Sequence, residues 1–387
     1  MPTIASQRTL FDIAADASYL NAAYMGPMPR ATAAAGAASY ARRCQPWQYD
    51  PQADFFDLPE TFRAHIAALL GVTAEDVAIA PSVSYGLATA ALALSPPAGS
   101  EVLVLAEQFP SNVYVWRTLA ERHGARVRTV QRADHETWTE ALLAAIGPAT
   151  SIVACQHVHW VDGGELDLER VAQAARGHGA ALALDLTQSL GVLPVDLSAI
   201  QPDFAAAVCY KWLLGPYTLG AVYIAPKHQN GPALEEGWIT REGAENFARL
   251  VDYAERYADG ARRFDVGERS AFQLIPAANA SLEQVRAWGV ANIAETLAAR
   301  TDQIVKAVAP LDLRADTPAR APHYLALTLP AGTPSDLVKR LAARQVYVSQ
   351  RGARLRVTPH VYNNDGDVAR LVNALKAEMG AAGSSAQ

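Results

Sequence analysis

From about residue 60 to about residue 225 the sequence repeats one pattern: a short, almost wholly apolar run, then a stretch with helical spacing. The runs are Glu101–Leu105, Ser151–Cys155, Ala180–Asp185, Phe204–Cys209 and Leu219–Ile224. A strand that is apolar at successive positions buries both of its faces, so it belongs in a sheet covered by helices on each side. Leu168–Gly177 reads as a helix between two such strands, where a crossover is required. Few folds accept this alternation. The expected class is α/β, with a mainly parallel sheet sandwiched by helices.

The last stretch reads differently. Tyr324–Leu329, Val346–Ser349 and Leu355–Val357 are expected strands, with a helix capped by Thr333, opened by Pro334 and ending near Arg344. That is a smaller α+β unit, joined to the first near residues 255–275, within or beside a long connecting helix. The tail Gly380–Gln387 is low in complexity and is expected to be disordered. With 387 residues, half of them hydrophobic, two cores can be filled. A net charge of -6 argues against nucleic acid or an anionic membrane as partner. No apolar run is long enough to span a bilayer, and Met1–Arg8 lacks the apolar core of a signal peptide. Cys44, Cys155 and Cys209 have neither metal-site nor disulfide-framework spacing, so no metal is expected. These features fit a soluble cytoplasmic enzyme.

Lys211 lies in the run from Asp203 to Pro216, at the end of an apolar, small-residue strand. Burying an amine there is costly unless a partner or a covalent bond neutralises it. A desolvated lysine has a depressed pKa, which suits it to Schiff-base formation with a carbonyl. Asp185 ends another apolar strand, and Gln188 follows three residues later. An acid able to pair with a pyridinium nitrogen, plus such a lysine, is the minimum equipment for pyridoxal phosphate; a purely structural ion pair is the alternative. In open α/β sheets ligands gather beyond the carboxyl ends of strands. His157, His159 and Trp160 lie at one such end and Glu107–Asn112 at another, so four strand ends converge on one mouth. The turn Pro81–Gly86, before a helix Leu87–Leu94, offers hydroxyls and free N–H groups to an anion, although its serines could simply cap the helix.

Together these segments resemble the class V aminotransferase group of fold-type I pyridoxal-phosphate enzymes, which includes cysteine desulfurases, selenocysteine lyases, kynureninase and isopenicillin N epimerase. The resemblance runs from Tyr19–Pro27 to Arg356–Asn363. Its most specific part is Asp185-x-x-Gln188, then Pro194-Val-Asp196, then Lys211-Trp-Leu-Leu-Gly-Pro216. It implies a large cofactor-binding domain (residues 18–260) around a mainly parallel, seven-stranded sheet. A small α+β domain would combine residues 1–17 and 261–387, and the molecule would be a homodimer with its site at the interface. By the same resemblance Lys211 carries the cofactor and shuttles the Cα proton, while Asp185 pairs with the ring nitrogen. Gln188 bonds the ring's phenolic oxygen, and Phe109 or a neighbour stacks on the ring. Val83, Ser84 and Tyr210 hold the phosphate, and Arg356 grips the substrate carboxylate. Asn21, Tyr24 and His159 are further candidates for substrate contact.

The departures from that pattern bear on function. Desulfurases carry a nucleophilic cysteine in the last third of the chain, and none occurs here after Cys209. Trp160 stands where desulfurases have asparagine. Glu268-Arg269-Ser270 replaces a Gly-Thr that reaches the neighbouring subunit's phosphate in relatives, so a cross-subunit contact from Arg269 or Ser270 is expected. The expectation is a lyase for C–S or C–Se bonds, acting on a cysteine-like amino acid without a catalytic cysteine. Aminotransfer and racemisation or epimerisation are the alternatives. A non-catalytic binding protein is disfavoured by the complete set Asp185, Gln188, Lys211 and Arg356.

Overall fold

The computed structural model describes residues 3–383. Among these the strands begin with β1 (Ser18–Tyr19), β2 (Val77–Ala80), β3 (Glu101–Leu105), β4 (Arg126–Val130), β5 (Thr150–Gln156) and β6 (Ala181–Asp185). They continue with β7 (Phe204–Val208), β8 (Gly220–Ile224), β9 (Leu325–Thr328), β10 (Val346–Tyr347), β11 (Ser349–Arg351) and β12 (Arg354–Val357). The helices are α1 (Arg30–Arg43), α2 (Leu58–Leu70), α3 (Val83–Ala93), α4 (Ser111–His123), α5 (Trp138–Ala145) and α6 (Leu168–Gly177). After them come α7 (Leu197–Ile200), α8 (Ile275–Trp288), α9 (Val290–Val308), α10 (Leu337–Ala343) and α11 (Asp365–Gly383).

Seven strands form one sheet in the order β2-β8-β7-β6-β5-β3-β4, parallel throughout except for β8, which runs against both neighbours. The α/β class and the mainly parallel seven-stranded sheet are therefore as expected. Alternation along each strand sends successive side chains to opposite faces. Leu103 and Leu105 join Val153, Leu182 and Leu184 in the core on one face, under α2, α5, α6 and α8. Val102 and Val104 join Ile152, Ala154 and Phe204 on the other, under α3 and α4. Each such aliphatic side chain contributes about 1.5–3 kcal/mol when fully buried. The sheet thus forms a floor on which the carboxyl ends of the six strands other than β8 share one edge.

The smaller unit is built on an antiparallel sheet β11-β12-β9 and a parallel pair β1-β10. The strand expected at Val346–Ser349 divides at Val348: Val346 and Tyr347 pair with Ser18 and Tyr19, and Ser349 opens β11. The helix expected from Pro334 begins at Leu337, because Thr333 bonds back to the Pro330 carbonyl in a turn and caps nothing. The last helix reaches Gly383, and residues 384–387 of the tail lie outside the described residues. Ile275, Ala278 and Leu282 of α8 pack into the core of the large sheet, so its contacts extend past residue 260.

The N-terminal arm ties both units to one spot. Ala22 N–H donates to the Thr358 carbonyl (3.0 Å) and Gly26 N–H to the Tyr210 carbonyl (2.9 Å). A Cβ on Gly26 would sit 2.1 Å from the Lys211 carbonyl oxygen, so only glycine allows this approach. A buried charge cluster fixes the segment before α8: the Asp265 carboxylate accepts from Arg63 (2.8 Å), Arg269 (2.8 Å) and the Ile79 N–H (2.7 Å).

Candidate active site

The carboxyl ends of β2, β3, β5, β6 and β7 surround a cavity of about 390 Å³. Because β8 runs the other way, its start lies at the same edge and adds Tyr217 and Thr218 to the wall. Leu214 (φ 56°) and Thr218 (φ 65°) take left-handed backbone in the turn that carries Lys211 from β7 into β8, a conformation that costs non-glycine residues free energy.

Lys211 and Asp185 both line this cavity, 9% and 5% exposed. Burial pulls the Lys211 amine down to about 8, against the opposing pull of Asp185, and Arg356 and Arg351 add to the depression. Burial likewise pushes the Asp185 carboxyl up, although the Thr187 N–H donates to its Oδ1 at 2.9 Å. No direct ion pair joins the two among the described residues. Each group is held toward its neutral form, with the cavity between them.

The other expected cofactor contacts converge here, Ser270 excepted. The Lys211 Nζ lies 5.8 Å from the Phe109 ring centroid and 5.7 Å from that of Tyr210. Gln188 is oriented by its neighbours: its amide donates to the Ala23 carbonyl (3.1 Å) and its oxygen accepts from the Trp212 indole (2.8 Å). One amide N–H remains for a ligand. The turn Pro81–Gly86 is largely the first turn of α3, which begins at Val83 rather than Leu87. Ser82 caps it by accepting from the Tyr85 N–H (3.1 Å), which leaves the Val83 and Ser84 N–H groups at an 11-residue helix start, where an anion is favoured.

Arg356 stands apart from the lining but next to it. It is 1% exposed, and its contacts are neutral: Ser349 Oγ (2.9 Å), the Trp160 carbonyl (3.2 Å) and the Tyr324 hydroxyl (3.2 Å). Its Nη2 has no hydrogen-bond partner among the described residues. Asn21 supports it indirectly, accepting from Ser349 Oγ at 2.9 Å. Tyr24 is 56% exposed.

Two candidates sit elsewhere. His159 is fully buried, between the Ala106 carbonyl (3.0 Å) and Asp162 (3.1 Å), stacked on Trp138, and it does not line the cavity. Its neighbour His157 faces a separate groove near Glu165, and burial lowers it to about 4. Ser270 donates to the Phe55 carbonyl (3.0 Å) within its own chain, and Arg269 is engaged by Asp265. Four wall residues escaped the sequence reading: Gln156, Thr187, Tyr217 and Thr218. Gln156 had a signal, since it closes β5 directly opposite Asp185 on β6.

The arrangement fits pyridoxal phosphate. Gln156 Nε2, which lines the cavity, is buried without a hydrogen-bond partner among the described residues, a costly state that a polar ligand would relieve. The amine, the acid, the helix start and an aromatic face match the carbonyl, ring nitrogen, phosphate and ring of that cofactor.

Comparison with known proteins agrees. The model of the family described as aminotransferase class-V matches residues 32–371. Kynureninase of Deinococcus radiodurans is 29% identical over 319 residues, covering 80% of this chain and 75% of that protein. Isopenicillin N epimerase of Amycolatopsis lactamdurans is 28% identical over 387 residues, covering 92% and 94%. Among solved structures, the cystine C-S lyase C-DES, in complex with its product cysteine persulfide, superposes with a TM-score of 0.83 at 21% identity. That match covers 93% of this chain and 97% of the other.

Proposed function

The chain belongs to the class V aminotransferase family of pyridoxal-phosphate enzymes, and from that premise we propose that it cleaves the Cβ–sulfur or Cβ–selenium bond of a cysteine-like amino acid. The observation that carries the reading is a cavity with a lysine amine pulled down to about 8 and no thiol. Cys155 and Cys209 are buried, their thiols pushed up by burial, Cys155 to about 12, and Cys44 is exposed away from the lining.

When bound, the cofactor supplies an electron sink for the charge left at the substrate Cα. Lys211 Nζ, depressed to about 8, takes the Cα proton near neutral pH. Asp185 holds a proton at the ring nitrogen, and Gln188 donates to the phenolic oxygen. Val83, Ser84 and Tyr210 receive the phosphate, while Phe109 covers the ring. Arg356 grips the α-carboxylate through its free Nη2. A departing thiolate is stable enough to leave without an acid; burial pushes Tyr210 up to about 12, which leaves the protonated Lys211 as the wall's acid near neutrality. In balance, R–S–CH2–CH(NH3+)–COO− and water give a thiol, pyruvate and ammonium.

The test is incubation with cystine and a panel of thioether amino acids while the visible absorption of the cofactor is followed. Pyruvate and ammonium released with the absorption band retained support the lyase. Conversion of the cofactor to its amine form, with a keto acid released in a half-reaction, replaces it with aminotransfer. Inversion of the substrate without keto acid replaces it with epimerisation. Arg356→Leu is expected to lower kcat/KM about a hundredfold, the loss of about one strong charge-assisted hydrogen bond.

A further inference from the structure

The hairpin of β11 and β12 places four polar side chains on one face. Ser349 pairs with Arg356 and Arg351 with Arg354, and side chains of directly paired or alternate residues project the same way. Of the three arginines, only Arg354 meets a carboxylate, Asp316 at 3.2 Å. Arg356 contacts neutral groups only and keeps Nη2 free. Half-buried Arg351 donates to the carbonyl of Gln350, its own neighbour (2.7 Å), and its guanidinium lies 5.3 Å from the Trp160 ring. It has no ion pair among the described residues.

Trp160 is a wall of the cavity, whose lining includes a single carboxylate, Asp185. Two guanidiniums without counter-ions therefore stand diagonally across a hairpin, at the same wall, with a lysine amine nearby. Arg351 is lowered by burial and then by Arg356, and both guanidiniums lower Lys211 beyond the effect of its burial. One α-carboxylate on Arg356 answers one of them. The second guanidinium stays uncompensated, although a planar fork stacked on an indole is well suited to hold an anion.

We propose that Arg351 binds a second anionic group, so that the preferred substrate is an amino acid whose leaving group ends in its own carboxylate. The sulfur in that leaving group rests on the lyase reading; the second anion rests on the hairpin alone. Arg351 would then be a specificity residue, while Lys211 and Arg356 serve any amino acid that enters.

Binding without turnover separates the two ideas. Glutarate, adipate and pimelate are titrated calorimetrically into the cofactor-loaded enzyme, beside monocarboxylates of equal chain length. At least one dicarboxylate is expected to bind about tenfold or more tighter than its monocarboxylate match. Arg351→Gln should erase that preference, and Arg351→Lys should restore part of it. Equal binding of the two series by the wild-type enzyme overturns the proposal, even where a variant fails to fold. So does a preference unchanged in Arg351→Gln, which would leave Arg351 as packing for Trp160. Absence of keto-acid release would sink the lyase reading and leave this result standing.

Discussion

Lys211→Met keeps the unbranched apolar stem and removes the amine, which makes the cost of burying that amine measurable. Burial takes the group from 10.5 down to about 8. At about 1.4 kcal/mol for each tenfold change, that gap amounts to about 3 kcal/mol of folding stability. The direction follows from proton counting. Below about pH 8 the folded and unfolded chains both carry the proton, and the folded chain bears the whole cost. Between about 8 and 10.5 the folded chain has shed its proton and the unfolded chain has not, so stability rises with pH. Cofactor-free Lys211→Met should therefore resist urea better than cofactor-free wild type at about pH 7, by about 3 kcal/mol. Its advantage should shrink steadily toward about pH 10. Parallel urea titrations across that range cancel the titrating groups that do not feel Lys211. A difference that stays level, or a wild type that is the more stable at about pH 7, would refute desolvation as the cause of the depressed pKa.

Gly26→Ala drives a methyl into the Lys211 carbonyl, 2.1 Å away. Melting should drop by the equivalent of about 1–3 kcal/mol, and the cofactor absorption band should be lost faster on dialysis. Asp265→Asn leaves Arg63 and Arg269 without their buried counter-charge; a loss of about 3–5 kcal/mol is expected in denaturant titration. Trp212→Phe deletes the N–H that fixes Gln188, so the pH midpoint of the cofactor absorption band should move, and the unpaired amide oxygen and the cavity left by the smaller ring should cost about 2–4 kcal/mol of stability.

The parts of the molecule written in short-range pattern were legible in the sequence. Apolar runs ending in Asp185 and Lys211 named both the strands and the edge where their polar ends meet. The helix expected at Leu168–Gly177 has those bounds, because Asp167 caps it and Leu168, Val171, Ala172 and Ala175 share one buried face. What failed to show depends on topology. Tyr217 and Thr218 reach the cavity only because β8 is reversed, and no local pattern states a strand's direction. The apolar-run pattern passes over β4, Arg126–Val130, because it is an edge strand whose Arg126 and Arg128 answer Glu101 on β3. His159 looked like a site residue from its place after β5. The bridge between Val158 and Glu165 instead carries it inward, to Asp162 and Trp138. Arg351 is likewise silent alone, since its meaning comes from pairing with Arg354 and from Trp160, far away in sequence.

The arm that joins both units also sets a schedule for the growing chain. Asn21 finds its partner Ser349 only after 328 further residues have been made, and β1 waits as long for β10. The large sheet can condense from local crossovers well before that. Gln188 leans on Ala23, and the Tyr210 carbonyl receives Gly26, so the arm holds the cavity's own walls. During synthesis the arm stays unmoored until the second hairpin emerges. A ribosome stalled short of residue 358 would therefore display a formed sheet with an unfinished pocket, and the cavity at the strand ends would be among the last parts of the protein to set.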